Sequence, residues 1–384
     1  MRILLISQDF YPLKGGIATY LMQIYKNYFA NDNFKVVIPK GIVQNKKLKS
    51  KFEIERLNFS PFVSPTNRKE KNKNFLEVLK RFSPDIVLFG YIRSHPEIMY
   101  EYKKINSCVK WGIVLHAKEV FFDKTLIKKT NIRGSHKGYA CEEVKEYKQL
   151  LNSADFLICV SNFTKKLIKK QKIRNKNIFV VYPMLRNLPS VSILNKRREF
   201  TLLSVGRLVK RKGHEMVLSV LKDLRNEIPE IKYKIVGNGP EENRLKSLID
   251  KYELHKLVKF EKDVNDNGLR KFYSECDIFV LPTKFIKPND IEGFGIVFIE
   301  ASSFAKPVIG GKSGGVIESV DDGKSGFLVN SEKELYDKIL LLYKNKNLSE
   351  KIGKYGRKRV VQYFYRKKNE KFVKFLRYMK RSNC

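Results

Sequence analysis

Apolar residues fall in short unbroken runs along most of this chain, and between the runs they recur every three or four positions. "RILLIS" (2–7), "FKVVIP" (34–39), "PDIVLFG" (84–90), "KWGIVLH" (110–116), "ADFLICVS" (154–161) and "NIFVVYP" (177–183) each read as a strand buried on both faces. After "YPLKGG", the residues Ile17, Tyr20, Leu21, Ile24, Tyr25, Tyr28 and Phe29 repeat at helical spacing, which predicts a helix starting just after Gly15-Gly16. Strands alternating with helices predict a doubly wound parallel sheet. Residues 184–199, "MLRNLPSVSILNKRRE", have no clean period and contain a proline, and read as a linker. The pattern then restarts with "FTLLSVG" (200–206), "KYKIVG" (232–237), "VKFE" (258–261), "DIFVLP" (277–282), "PVIGG" (307–311) and "GFLVN" (326–330). Helical stretches separate these strands, among them "HEMVLSVLKDL" and one from about Ile296. The expected organisation is α/β: one Rossmann-like domain over 1–185, a second over 200–360, and a C-terminal helix in 361–384 packing back toward the first. Two such sheets joined by one linker leave a cleft, and ligands of such folds bind beyond the carboxyl ends of the strands.

Composition supports a globular chain: 42% of its 384 residues are hydrophobic, and no stretch approaches the ~18 consecutive apolar residues of a membrane span. "MRILLISQDF" has no small-residue cleavage site and reads as a buried strand, not a signal peptide. The five cysteines are scattered without zinc spacing, which points to reduced thiols and a cytoplasmic setting. Charge is the outlier, at +37. Residues 1–200 carry 39 Lys and Arg against 16 Asp and Glu, the remainder 38 against 24, so both halves are basic and the first more so. Such a surface favours nucleic acid, phosphate-rich ligands or acidic lipid. A composition rich in Lys, Asn and Ile accounts for much of the same excess. No nucleic-acid recognition module is visible and the cations are dispersed. "GGKSGG" (310–315) imitates a phosphate loop, but the glycine that pattern needs five residues before Gly311 is Lys306.

Four constellations sit at predicted strand ends. Gly15 and Gly16 precede a helix, where a close backbone and free N–H groups suit a phosphate; for two glycines taken alone a tight turn is the plainer reading. His116 ends an apolar strand, a position that structural histidines also occupy. In "VGRLVKRKG", Arg207 and Lys212 lie between a strand and a helix. A guanidinium fork and a point charge there make a diphosphate clamp, or a solvated loop. In "EGFGIVFIE", Glu292 sits in a Gly-flanked loop, Gly293 and Gly295 free the backbone at a helix N-terminus, and Glu300 lies within that helix.

Together these segments are more specific than any one of them. Over essentially its whole length the chain resembles the family 4 retaining glycosyltransferases of the GT-B fold. The resemblance runs through "GGIATY", "VLHAKE", "CVSNFTKKL", "SVGRLVKRKGHEMVL", "YKIVGNGPEENRLKSLI", "ECDIFVLPT", the E-x7-E segment that opens "EGFGIVFIEAS", and "VVQYF". "SQDFYP", "GGIATY" and "DIEGFGIVFIEAS" look most like the branch that transfers mannose to phosphatidylinositol.

The resemblance implies roles by position. His116, Arg207, Lys212 and Glu292 would form the catalytic set, with His116 at the sugar and the two cations on the diphosphate. Gly15, Gly16, Gly293, Phe294 and Gly295 would place their backbone against the donor. Glu292 would meet the donor sugar, Glu300 the ribose hydroxyls, and the loop Glu261 to Asp263 the base. The donor would be a UDP- or GDP-sugar, with no metal or other cofactor. The acceptor would be a lipid-linked or saccharide molecule of envelope or capsule synthesis, reached at the inner face of the cell membrane. Basic stretches 45–52, 67–74 and 121–139 would make the peripheral contact with anionic lipid, and no nucleic acid would be bound. A basic nucleic-acid- or membrane-binding protein on an inactive scaffold of this fold is the competing expectation.

Overall fold

The computed structural model describes residues 1–10, 13, 15–40, 51–58, 68–91, 96–120, 141–185, 187–190, 199–286, 289–366 and 368–381. The chain divides into two compact units, 1–183 with 368–384, and 184–367.

The N-terminal unit is built on β1 (Arg2–Ile6), β2 (Asn33–Pro39), β3 (Glu53–Leu57), β4 (Ile86–Phe89), β5 (Lys110–Leu115), β6 (Phe156–Cys159) and β7 (Ile178–Val180). They form one parallel sheet in the order β3-β2-β1-β4-β5-β6-β7. The middle strands are apolar runs because helices cover both faces; Ile3, Leu4, Leu5 and Ile6 are all buried. Helices Gly16–Ile24 and Ile98–Ile105 are among those that connect the strands. The helical period from Ile17 continues as expected, but its last turn, Tyr25–Phe29, widens to a π-helix. The helix Glu370–Arg381 returns to this unit, where Phe372 packs among Tyr28, Phe156 and Phe179.

Strand β3 was not expected. Its sequence "EIERL" is charged because it is an edge strand. Glu53 and Glu55 each lie 3.0 Å from the buried Lys35 of β2, and Arg81 holds Glu55 from the other side.

The C-terminal unit repeats the plan with β8 (Phe200–Val205), β9 (Ile231–Val236), β10 (Val258–Glu261), β11 (Ile278–Leu281), β12 (Val308–Gly311) and β13 (Gly326–Val329). Their order is β10-β9-β8-β11-β12-β13, again all parallel. In both sheets the strand order reverses beside the first strand, between β1 and β4 and between β8 and β11. That reversal splays the loops beyond the strand ends and opens a crevice for ligand.

One cysteine departs from the expectation of reduced thiols, and two of the described ones agree with it. Cys108 takes part in a disulfide, whereas Cys159 and Cys276 are free and buried. Among the described residues no helix is long and apolar enough to cross a membrane.

Candidate functional site

In the N-terminal unit, Gly15 and Gly16 open the helix that follows β1. Gly15 is extended, at φ 167°, and its carbonyl accepts from the Thr19 N–H at 2.9 Å. Among the described residues, a Cβ added at either glycine would meet no atom within 4 Å. The fold itself therefore does not require glycine here, and the helix end is open to an incoming group.

His116 follows β5. Its backbone N–H donates to the buried carboxylate of Glu119, and Tyr20 packs edge-on against its ring at 5.7 Å. Its Nε2 lies 3.0 Å from the carbonyl oxygen of Gly90. A carbonyl can only accept, so Nε2 carries the proton and Nδ1 the lone pair. Burial lowers the imidazole to about 4, with the Gly90 bond opposing, so the ring is neutral at physiological pH. The next residue, Ala117, is held at φ 91°, a conformation that costs a non-glycine roughly 1–3 kcal/mol. Such strain is tolerated where a side chain must be aimed, and here it fixes the turn that follows His116.

In the C-terminal unit the loops after β8 and β11 converge. Gly206 and Gly237 pack backbone to backbone, since a Cβ on Gly237 would fall 2.1 Å from the Gly206 carbonyl oxygen. Beyond Gly206 the chain forms a 3-10 turn, Lys210–Lys212, closed by Gly213 at φ 74°. A Cβ on Gly213 would sit 2.1 Å from the carbonyl oxygen of Pro282, just past β11. This close approach presses the basic turn against the acidic loop after β11.

The contact is ionic. Lys212 Nζ lies 2.7 Å from Glu292 Oε2, Arg211 donates to the same oxygen, and Arg211 Nε reaches Asp290 at 3.1 Å. Side chains of Arg211, Lys212 and Glu292 are 17%, 11% and 16% exposed, so the cluster is sheltered but reachable. Burial by itself would raise the Glu292 carboxyl; the two cations outweigh it and hold the group at about 2. Burial lowers the Lys212 ammonium, Glu292 opposes this, and Arg211 adds to it. Arg211 and Asp290 were missed by the sequence reading. The run "KRK" was the available signal, but spacing alone does not say which of its cations turns inward. Arg207 is exposed and makes no side-chain hydrogen bond or ion pair among the described residues.

Glu292 and Gly293 lean on another glycine pair. The Gly315 N–H donates to the Glu292 carbonyl at 2.9 Å, and a Cβ on Gly315 would fall 1.9 Å from the Gly293 oxygen. Gly295, at φ 83°, then starts the helix Ile296–Ser303, whose N-terminus has no side-chain cap. Phe294 is buried against Phe364, so only its backbone is placed to serve a ligand. Glu300, one turn on, accepts from the buried Tyr273 hydroxyl at 2.8 Å. Burial raises its carboxyl above the ordinary value; the Tyr273 bond opposes this and Asp266 adds to it. At the end of β10, Glu261 pairs with Lys259 at 2.9 Å, and just beyond the strand Asp263 takes a positive φ of 51°. Among the described residues no group of His, Cys, Asp and Glu is arranged to hold a metal ion.

Residues 190–359, nearly all of this second unit, match the family described as glycosyl transferases group 1. The C-terminal unit is a glycosyl transferases group 1 domain. The chain is 35% identical over 127 residues to a GDP-mannose-dependent alpha-(1-6)-phosphatidylinositol monomannoside mannosyltransferase of Mycolicibacterium smegmatis, 33% of each chain. It is 26% identical to a putative colanic acid biosynthesis glycosyltransferase, WcaL, of Salmonella typhimurium, over 48% of this chain and 46% of that one. It thus spans between a third and about half the length of these curated relatives. Among solved structures, Anabaena HepE in complex with UDP and glucose superposes with a TM-score of 0.76 at 18% identity, covering 100% of both chains. Sucrose-phosphate synthase of Thermosynechococcus elongatus gives 0.79 at 19%, covering 99% of this chain and 98% of that one. At such identity the likeness concerns the fold, and the fold is GT-B: a glycosyl transferases group 1 domain after a first domain of the same parallel α/β plan.

Proposed function

We propose that the protein is a family 4 retaining glycosyltransferase. It moves a hexose or N-acetylhexosamine from a UDP- or GDP-sugar to a lipid-linked or saccharide acceptor in cell-envelope glycan synthesis. One observation carries the reading: Lys212, Arg211 and Glu292 meet beside an uncapped helix N-terminus at the strand-order reversal of a glycosyl transferases group 1 domain. Cations and free helix N–H groups at a crevice suit a diphosphate, and a carboxylate beside them suits sugar hydroxyls. The names of the relatives, which include envelope-glycan glycosyltransferases, and the UDP and glucose bound by HepE support the same direction.

In this reading the leaving diphosphate is the main charge to be stabilised. Arg207 and Lys212 answer it, together with the N–H groups at Gly293 to Gly295, without a metal ion. Glu292 binds donor hydroxyls. Its carboxylate is engaged by two cations and held at about 2, so it is a weak base and a weak nucleophile. A covalent glycosyl-enzyme intermediate is therefore not part of the scheme. The acceptor hydroxyl attacks on the face the diphosphate leaves, and the departing phosphate oxygen takes the acceptor proton. His116 acts neutral, offering Nδ1 as an acceptor to a sugar hydroxyl.

The setting we propose is the inner face of the cell membrane, held through basic surface. The charge of +37 supports this. The stretches 45–52, 67–74 and 121–139 fall wholly or largely outside the described side chains. Flotation with liposomes checks it: binding should rise with anionic lipid, and binding indifferent to lipid charge would remove the membrane from the account. The donor reading is tested by thermal stabilisation with UDP, GDP, ADP and their sugars. A ligand at 100 times its Kd adds roughly 2.7 kcal/mol. Stabilisation by DNA alone would favour an inactive scaffold with a nucleic-acid role.

A further inference from the structure

Tyr273 lies near the end of the helix Asp266–Glu275 and is buried. Its ring stacks on Phe304 with centroids 5.7 Å apart and meets Phe279 at 5.9 Å. Three things thus converge on one side chain: a rigid aromatic seat, a single donor, and a carboxylate 2.8 Å away. The Glu300 carboxylate makes no second hydrogen bond among the described residues. Its Oε2 is anchored, and Oε1 is left open.

We propose that Tyr273 is a positioning residue whose hydroxyl fixes one oxygen of Glu300 and leaves the other to accept the vicinal hydroxyls of a nucleotide ribose. The inference rests on the donor reading above and adds to it a group that does not itself touch the donor. A free glutamate side chain loses rotamer freedom when it takes up a ligand; anchoring removes that loss from the binding step. A charged acceptor also bonds a hydroxyl more strongly than a neutral one.

The arrangement makes ribose recognition sensitive to acid. Burial, and then the Glu300 charge, raise the Tyr273 phenol well above its ordinary value, so it remains a donor at any working pH. Glu300 is raised by burial, lowered by the Tyr273 bond and raised by Asp266, the other titratable group facing it from the same helix. On Glu300's own helix, Ser303 bonds its backbone carbonyl at 2.6 Å and not its carboxylate. As pH falls, Glu300 takes a proton and the ribose contact weakens. Removing the phenol takes away the lowering influence, so this loss begins at higher pH.

The test titrates UDP and GDP, and their 2′,3′-dideoxy counterparts, into the full-length protein across a pH series. For the nucleotide that binds, the wild type should lose affinity on acidification, and the dideoxy form should show no such acid limb. Tyr273→Phe keeps the ring packing. It should bind roughly tenfold more weakly, with the acid limb moved to higher pH and kcat little changed. In Glu300→Gln the acid limb should vanish, and adding Tyr273→Phe to it should cost little more. Unchanged affinity and pH profile in folded Tyr273→Phe would overturn the inference while the donor reading stands. The same acid limb for ribose and dideoxy nucleotides in the wild type would overturn it without any variant. Failure of the wild type to bind either nucleoside diphosphate would overturn both.

Discussion

The two units share a strand plan but differ in the glycines beside their candidate site residues. In the C-terminal unit the glycines around the charge cluster are demanded by the fold: a Cβ on Gly213, Gly237, Gly314 or Gly315 would lie 1.9 to 2.3 Å from a backbone oxygen. In the N-terminal unit a Cβ on Gly15 or Gly16 would meet no atom of a described residue within 4 Å. The first set brings the basic turn and the acidic loop close enough to pair. The second set has no internal reason to be glycine, so any need for it lies in what approaches from outside. Internal clashes and room for a ligand are separable causes of the same residue choice.

The largest effect should come from the ion cluster that the first set of glycines makes possible. Glu292→Gln leaves Arg211 and Lys212 sheltered without their shared counter-charge. It should destabilise the protein by about 3–5 kcal/mol in urea unfolding and abolish transfer. A loss below 1 kcal/mol would show that the cluster is already solvated. Next comes Gly213→Ala, where a positive φ and the Pro282 oxygen act together. The expected cost is on the order of 2–4 kcal/mol. Gly15→Ala and Gly16→Ala should sit at the other extreme, within about 0.5 kcal/mol of the wild type in stability, while turnover falls. Equal destabilisation at Gly213 and Gly15 would erase the contrast between the units.

Acid titration sharpens the same contrast with smaller steps. Glu292 has its pKa depressed from 4.5 to about 2, so its stabilisation is complete above 4.5 and is lost as pH falls toward 2. His116 and His214 are buried neutral, with pKa values lowered from 6.5 to about 4 and about 3 by burial. For these two the unfolded chain takes the proton first, so stability already falls below 6.5. Each group contributes a slope of at most roughly 1.4 kcal/mol per pH unit. Urea midpoints measured from pH 7 to 3 should therefore decline in two stages. Glu292→Gln should flatten the lower stage and leave the upper one, which belongs partly to the N-terminal unit.

How far the sequence disclosed all this follows from where each residue sits. Strands such as β1 and β11 were readable because parallel strands covered on both faces must be apolar throughout. Strand β3 was not, because an edge strand that pairs with Lys35 and Arg81 looks like a polar loop. Lys212 and Glu292 were both named, but their direct contact could not be read from residues 80 positions apart. Arg211 was hidden among neighbouring cations until the 3-10 turn and the Gly213–Pro282 approach decided which of them faced inward. The Nε2–H tautomer of His116 depends on a carbonyl from another strand end, Gly90, and has no local signature at all.

The central claim is that the C-terminal unit holds a nucleoside diphosphate, and Arg207 offers the cleanest access to it. Its side chain is exposed and makes no polar contact among the described residues, so Arg207→Ala should leave the unliganded Tm unchanged. The decisive measurement is the Tm of wild type and Arg207→Ala with and without UDP and GDP. The account predicts stabilisation of the wild type by one of the two, largely lost in the variant. Stabilisation by neither, or an equal shift in both proteins, would contradict it.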